Sequence, residues 1–288
     1  MAFLFQSILN GILAGCIYAL FAMGLTLIYG VLNFVNFSHG ELIMWGAYFL
    51  YFLMEKPLGL PLYAALLPAL LLTTLLGVGM DRAVFKPLRK ANALTLLIAA
   101  LGLSFFLRNA AQFFYGAEIR TYGFEIRRGM RFWGMSITVN QVAIILTAVV
   151  CIVFLYFLFH RSALGKSMRA VSDDLELARV VGIDSKRAIL SAWVIASALA
   201  GVGGILLALD TNLQPGMGLI NLVKAFAATL LGGVGNLWGA LFGGIIIGMA
   251  ENLGVLIISP GYKDAIAFAI MVLMLLLRPS VLLGRGRD

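Results

Sequence analysis

The chain has 288 residues, of which 62% are hydrophobic and only 12% are charged. Soluble domains carry about a quarter of their residues as charged side chains, so this composition excludes a soluble globular protein. The net charge of +8 comes from few residues in few places, which argues against a nucleic-acid partner. The sequence therefore predicts a polytopic integral membrane protein, in which basic residues mark cytoplasmic loops.

Apolar stretches of membrane-spanning length follow one another along the chain. A helix needs about 20 mainly apolar residues to cross about 30 Å of hydrocarbon. Seven stretches are convincing candidates, and two shorter ones are interrupted by glycine. The seven are 7–29, 60–80, 91–115, 138–159, 188–209, 237–258 and 264–278, and the shorter two are 40–54 and 222–235. We expect an all-α bundle of eight or nine transmembrane helices, in a single domain over 1–288 whose first helix is not a cleaved signal.

The loops give an orientation with one conflict. Segment 81–90 has four Lys and Arg residues, segment 161–187 has six, and the C-terminal tail has three, which places all three on the cytoplasmic side. Segment 116–137 must then lie outside, although it contains four arginines. We retain the outside placement because clear spans separate this segment from both cytoplasmic neighbours. No charge decides the side of residues 1–6.

The stretch Gly30 to Glu41 interrupts the apolar first hundred residues with polar side chains. It contains Asn33, Asn36, Ser38, His39 and Glu41. Ionisable groups inside a membrane face protein or water, because lipid exposure is costly. Two interpretations stay open: a helix break that lines a solute path, or a tight turn whose side chains satisfy backbone groups.

The second half has its own buried polar candidates. Lys224 and Glu251 are each flanked by apolar residues, and they could line a path or pair with one another. Glycine-broken helices in both halves are typical of a transporter's solute path, so 30–46 and 232–254 are expected to face each other. The candidate path residues are Asn33, Asn36, His39, Glu41, Lys224 and Glu251, with an apolar lining from Phe34, Phe37 and Leu42.

Segment 161–187 is the most polar part of the chain between two spans. Gly165-Lys166-Ser167 matches the end of a phosphate-binding loop, but the first glycine of that motif falls on His160, so the motif fails. Ser172 or Asp173 could instead cap a short helix near 174–181 that ends at Gly182. This amphipathic helix could bind a partner or form a solvated loop.

Signals for an enzyme are weak. Gly102-Leu103-Ser104 has some likeness to an intramembrane serine protease, but Phe105 stands where that motif has glycine. Cys16 and Cys151 have no metal-site spacing. We expect no catalytic residues, no cofactor and no metal.

Several of these stretches together resemble the permease subunits of branched-chain amino-acid ABC importers of the leucine/isoleucine/valine type. The matching stretches are 29–41, 82–89, 165–178, 181–183, 224–226, 231–235 and 262–264, in the family's order and spacing. One departure is Ser38, where the family more often has alanine.

The resemblance implies a fold, a site and a set of partners. The fold is the helical importer type with inverted repeats, in the cell inner membrane. The partners are a second related permease, two cytoplasmic ATPase subunits that hydrolyse the ATP, and a periplasmic or extracellular binding protein. Segment 165–182 would be the coupling helix, with Gly165, Arg169, Ala170, Asp173, Asp174, Ala178 and Gly182 as its candidate residues.

Other solutes and other transporter classes stay open at this point. Relatives of this family carry urea, short amides or aromatic acids. A stand-alone channel or secondary transporter could also use the same buried polar residues as a filter or proton site.

Overall fold

A computed structural model describes residues 2–32, 34–55, 58–123, 129–132 and 135–277. Asn33, one of the predicted path residues, lies outside these ranges. The α-helices are α1 (Ala2–Leu32), α2 (His39–Met54), α3 (Leu62–Met80), α4 (Lys86–Leu88), α5 (Ala93–Tyr115), α6 (Val139–Arg161), α7 (Ala163–Asp173), α8 (Leu175–Val180), α9 (Ser185–Asp210), α10 (Met217–Gly232), α11 (Leu237–Gly254) and α12 (Lys263–Leu277). A π-helical turn (Asp81–Phe85) joins α3 to α4, and β1 (Met130–Phe132) pairs antiparallel with β2 (Met135–Ile137).

The predicted all-α membrane bundle is confirmed, and the helix count needs one qualification. Within the described ranges, seven helical segments are long and apolar enough to cross a membrane. The two shorter predicted pieces form α2 and α10, of 16 residues each. At 1.5 Å per residue each is about 24 Å long, less than the hydrocarbon thickness. The total of eight or nine crossings therefore depends on these two short helices.

The loops gather at two ends of the bundle. At one end, Gln6 exchanges hydrogen bonds with the backbone of Ser136, and Arg120 pairs through its backbone with Leu213. We call this the outer end, after the side on which the sequence places segment 116–137. Burial there raises the pKa of Tyr122 well above its usual range, and its neutral hydroxyl donates to the carbonyl of Ala47.

The inner end holds the basic segments that the sequence places in the cytoplasm. Phe85 stacks on Trp193 near the start of α9 with ring centroids 5.4 Å apart. Gly30, near the end of α1, lies against Ser172. Segments 81–90 and 161–187 are therefore opposite to segment 116–123, as the span count required, and α1 starts at the outer end.

The chain repeats one arrangement in two opposite directions. A long helix (α1 or α9) is followed by a six-residue connection and then by a 16-residue helix (α2 or α10). Gly40 and Gly218 are the second residues of α2 and α10, and a Cβ on either would be 2.6 Å from the carbonyl oxygen of the other. Because α1 runs inward and α9 runs outward, these halves have the geometry of an inverted repeat.

The packing of the next helices repeats as well. α3 packs on α9, with Gly77 against Ser197, and α11 packs on α1, with Gly244 against Ala19. Small residues let helix backbones approach closely in a membrane. Among the described residues of the two glycine-broken stretches, α11 packs on the first half of α1 and on α10, whereas the first half of α2 packs on α9 and α10. That the two stretches face each other across a solute path stays a prediction.

Candidate functional site

The connection between α1 and α2 is closed by Asn36. Its Oδ1 accepts hydrogen bonds from the backbone nitrogen of Ser38 at 3.1 Å and from the Ser38 hydroxyl at 2.6 Å. Both side chains and the His39 imidazole are fully buried, and the imidazole lies against α1 near Phe21 and Gly24. Asn36 and Ser38 thus satisfy the backbone of a turn inside protein, where water is excluded.

Glu41 forms the first buried charge cluster, between α2 and α5. Its carboxylate is fully buried, and its Oε1 accepts from the Ser104 hydroxyl at 2.8 Å and from Arg108 Nη2 at 3.0 Å. Ser104 and Arg108 are one turn apart on α5, which puts them on one face of that helix. The cluster is an ion pair with an added hydroxyl donor, held in a region of low dielectric constant.

Lys224 forms the second buried charge cluster, nearer the outer end. Its Nζ lies 3.0 Å from Glu251 Oε1 and 2.7 Å from Asp264 Oδ1. The Tyr18 hydroxyl donates to Glu251 Oε2 at 2.8 Å and accepts from Lys224 at 3.0 Å. This network ties α1, α10, α11 and α12 together. The Lys224–Glu251 pairing is one of the two interpretations that the sequence left open.

The structure separates the predicted path residues into three groups. Asn36 and His39 belong to the turn, Glu41 to the first cluster, and Lys224 and Glu251 to the second. Sequence reasoning did not predict that Tyr18, Ser104, Arg108 and Asp264 would be the partners of these residues. Arg108 had a usable signal, since a charge inside the apolar run of α5 must face protein or water. Tyr18 had none, because a tyrosine in an apolar helix is ordinary.

An apolar cavity of about 140 Å³ lies between α1, α10 and α12. It is lined by Leu25, Val35, Phe37, Leu222, Val223, Phe226, Met271 and Leu275. Of the three predicted apolar lining residues, Phe37 reaches this cavity. Phe34 is buried against Phe85 with ring centroids 5.1 Å apart, and Leu42 is buried in the core. Phe34 and Leu42 are therefore core residues.

Two helices, α7 and α8, form the inner surface in place of the single predicted one. Ser162 caps α7, its hydroxyl accepting from the Gly165 backbone nitrogen. α7 is amphipathic, with Gly165, Met168 and Val171 buried and Arg169 and Asp173 exposed. Gly165 lies directly against the backbone of Leu158 and Phe159 in α6, so its place requires the missing side chain.

α8 has a different N-terminal cap from the predicted one, and it ends where the sequence predicted. Asp174, rather than Ser172 or Asp173, caps it by accepting from the backbone nitrogens of Glu176 and Leu177. Gly182, in the left-handed region with φ +83°, lies just beyond its end as predicted. Asp174 is the cap because its extended backbone conformation interrupts the helix between α7 and α8.

The apolar residues of α8 and its end are divided between the core and the surface. Ala178 is buried, with 2% of its surface exposed, and Ala170 is partly buried. Val180 and Val181 are 82% and 66% exposed, and Leu177 is 61% exposed. Ala178 thus anchors α8, and Leu177, Val180 and Val181 form an exposed apolar patch at the inner end.

Comparison with known proteins identifies the family. Residues 7–275 match the family model described as the branched-chain amino acid transport system / permease component. The chain belongs to this family. It is a multi-pass membrane permease component whose match covers the bundle from α1 into α12.

Individual relatives extend over nearly the whole permease. The high-affinity branched-chain amino acid transport system permease protein BraD of Pseudomonas aeruginosa is 34% identical over 97% of this chain and 95% of its own length. The permease protein LivH of Escherichia coli K12 is 32% identical with the same coverage. Among solved structures, PsaBC from Streptococcus pneumoniae in complex with Fab matches with a TM-score of 0.45 and 15% identity, covering 95% of this chain and 89% of that one.

Proposed function

We propose that this permease forms the membrane passage of an ABC importer that takes up branched-chain amino acids across the cell inner membrane. The observation that carries the proposal is the family match over residues 7–275, supported by relatives whose names specify high-affinity branched-chain amino acid transport. Those names favour this solute over urea, short amides and aromatic acids.

The energy for import would come from other subunits. The chain's only approach to a phosphate-binding loop lacks the first glycine, at His160, so ATP hydrolysis is assigned to two cytoplasmic ATPase subunits. The apolar patch of α8, with the exposed polar face of α7 beside it, is the surface on which an ATPase would dock. A second related permease and a periplasmic or extracellular binding protein complete the assembly.

Reconstitution tests this proposal. The permease is purified with its genomic partners, placed in liposomes with ATP on the ATPase side, and supplied with binding protein and radiolabelled leucine, isoleucine or valine. We expect ATP-dependent uptake that needs every subunit. Uptake by the chain alone would support the stand-alone transporter instead, and uptake of urea but not of leucine would reassign the solute.

A further inference from the structure

Arg108 is the one charged residue of α5 and lies two turns before the helix ends at Tyr115. Its side chain is 17% exposed, whereas the Glu41 carboxylate that it contacts is fully buried. Contact between a guanidinium and lipid is costly, and the ion pair with Glu41 holds Arg108 towards the bundle rather than towards the end of α5. The exposed part of Arg108 therefore faces a wet passage or another polar surface.

The contacts of Arg108 leave part of its hydrogen-bonding capacity unused. One nitrogen, Nη2, donates to Glu41 Oε1. Arginine has five N–H donors and no acceptor, and within the described ranges Arg108 Nε and Glu41 Oε2 have no hydrogen-bond partner. Unsatisfied buried polar atoms are costly, and both of these atoms are buried, so a further polar group would reach this pair through the exposed part of the Arg108 side chain.

The surroundings of Arg108 combine this cation with an apolar wall. The guanidinium carbon lies 5.8 Å from the centroid of the Phe105 ring, and Phe105 is 58% exposed. If the carboxylate of an amino acid binds the guanidinium, the aliphatic side chain on its α-carbon lies against this ring.

We propose that Arg108 is a transient binding point for the carboxylate of the amino acid in transit, with Phe105 contacting its side chain. This inference rests on the proposed function. Glu41 neutralises Arg108, so the site attracts a net-neutral zwitterion without holding it tightly. Ser104 positions Glu41 through its 2.8 Å hydrogen bond. A neutral solute such as urea would not need such a pair.

The test compares two ways of removing the pair in the reconstituted complex. Arg108→Met leaves Glu41 buried without its cation, whereas Glu41→Leu with Arg108→Met removes both charges, which restores stability in other buried pairs. Trp45→Phe is the matched control, because it removes the Trp45 to Leu107 hydrogen bond between the same two helices and no charge. Thermal unfolding, subunit composition, ATP hydrolysis and leucine uptake are measured for each.

We expect the double variant to regain thermal stability and full assembly, while leucine uptake per ATP hydrolysed stays at least tenfold below wild type. Arg108→Lys should retain more uptake than Arg108→Met, and Trp45→Phe should stay within twofold of wild type. Recovery of uptake in the double variant, or loss of the second permease from the Arg108→Met complex, would overturn the inference. A wild-type complex without leucine uptake would overturn the proposed function and this inference with it.

Discussion

Asn36 shows how one buried amide can serve a turn that water does not reach. Asn36→Leu removes the acceptor for both the backbone nitrogen and the hydroxyl of Ser38, and an unsatisfied buried group costs about 1–3 kcal/mol. We expect a clear loss of thermal stability in detergent, with uptake falling in proportion to folded protein. Ser38→Ala is the control, because Asn36 still accepts from the backbone nitrogen, and it should be nearly neutral. Equal effects of the two substitutions would contradict this role.

Lys224 holds two carboxylates of different exposure. Lys224→Met leaves the fully buried Glu251 without a counter-ion, and breaking a buried pair in this way costs about 3–5 kcal/mol. Asp264 is 51% exposed, so Asp264→Asn should cost about 0–1 kcal/mol. Thermal unfolding of the two variants and of Lys224→Met with Glu251→Gln checks this order. The double variant should recover much of the loss, and a Lys224→Met protein as stable as wild type would refute the account.

Single residues were predictable where their chemistry was out of place. Lys224 and Glu251 stand out as charges among apolar neighbours, and their pairing was one of the two roles anticipated. Arg108 carries the same signal, a charge inside an apolar run, but it was not among the predicted path residues. The burial of Ala178 could not be predicted, since alanine suits either face of a helix.

At the scale of helices, α8 uses different residues for packing on the bundle and for the proposed docking of an ATPase subunit: Ala178 is buried, whereas Val180 is exposed. Val180→Asp places a carboxylate in the exposed apolar patch, where it is solvated in the isolated permease but buried without a partner under a docked subunit. We expect normal folding and at least a tenfold loss of ATPase subunits in co-purification. Val180→Leu is the matched control and should retain them.

Ala178→Trp behaves differently because Ala178 is buried. An indole at this position should displace α8 from the core in which Ala178 is buried and lower both thermal stability and ATPase binding. If Val180→Asp binds the ATPase subunits normally while Ala178→Trp does not, the docking surface lies elsewhere on the inner end.

The crossing of α2 and α10 depends on two glycines. Gly40→Ala would place a Cβ 2.6 Å from the Gly218 carbonyl oxygen, and such overpacking costs about 1–3 kcal/mol. Gly79→Ala in α3 meets nothing within 4 Å, so it should be neutral or slightly stabilising. Thermal unfolding compares the two variants. A neutral Gly40→Ala would show that the helices can separate at this point.

The length of the apolar stretches predicted which segments form helices, but it did not predict which helices pack against each other. Each of the nine predicted stretches contains a helix of the bundle, because hydrocarbon thickness constrains length. The crossing of α2 with α10 depends on single glycines at matching positions, which a repeat search by residue identity does not reveal. Periodicity predicted a helix only near 174–181, because the polar face of α7 hides the helical period of Met168 and Val171, whereas the resemblance to the family implied a coupling helix over 165–182.

The structure gives the whole molecule an orientation in the membrane, and this orientation includes the side of the N-terminus, which the charges of the sequence did not decide. The hydrogen bonds of Gln6 with Ser136 in β2 put the start of α1 at the outer end, which is the end at which the sequence places the arginine-containing segment 116–137. Lys86 and Glu176, in contrast, lie in the segments at the inner end. The positive-inside rule would place all arginine-rich segments together, so geometry and the charge rule make opposite predictions for this loop.

Cysteine labelling decides between them. With Cys16 and Cys151 replaced by alanine, single cysteines at the exposed positions Phe3, Glu118, Lys86 and Glu176 are treated with a membrane-impermeant thiol reagent in intact cells and in inverted vesicles. We expect Phe3→Cys and Glu118→Cys to react only in intact cells, and Lys86→Cys and Glu176→Cys only in inverted vesicles. We expect the helix packing to outweigh the positive-inside rule here, because moving this loop to the other side would prevent α5 or α6 from crossing the membrane. Labelling of Glu118→Cys together with Lys86→Cys would place both loops on one side and refute this orientation.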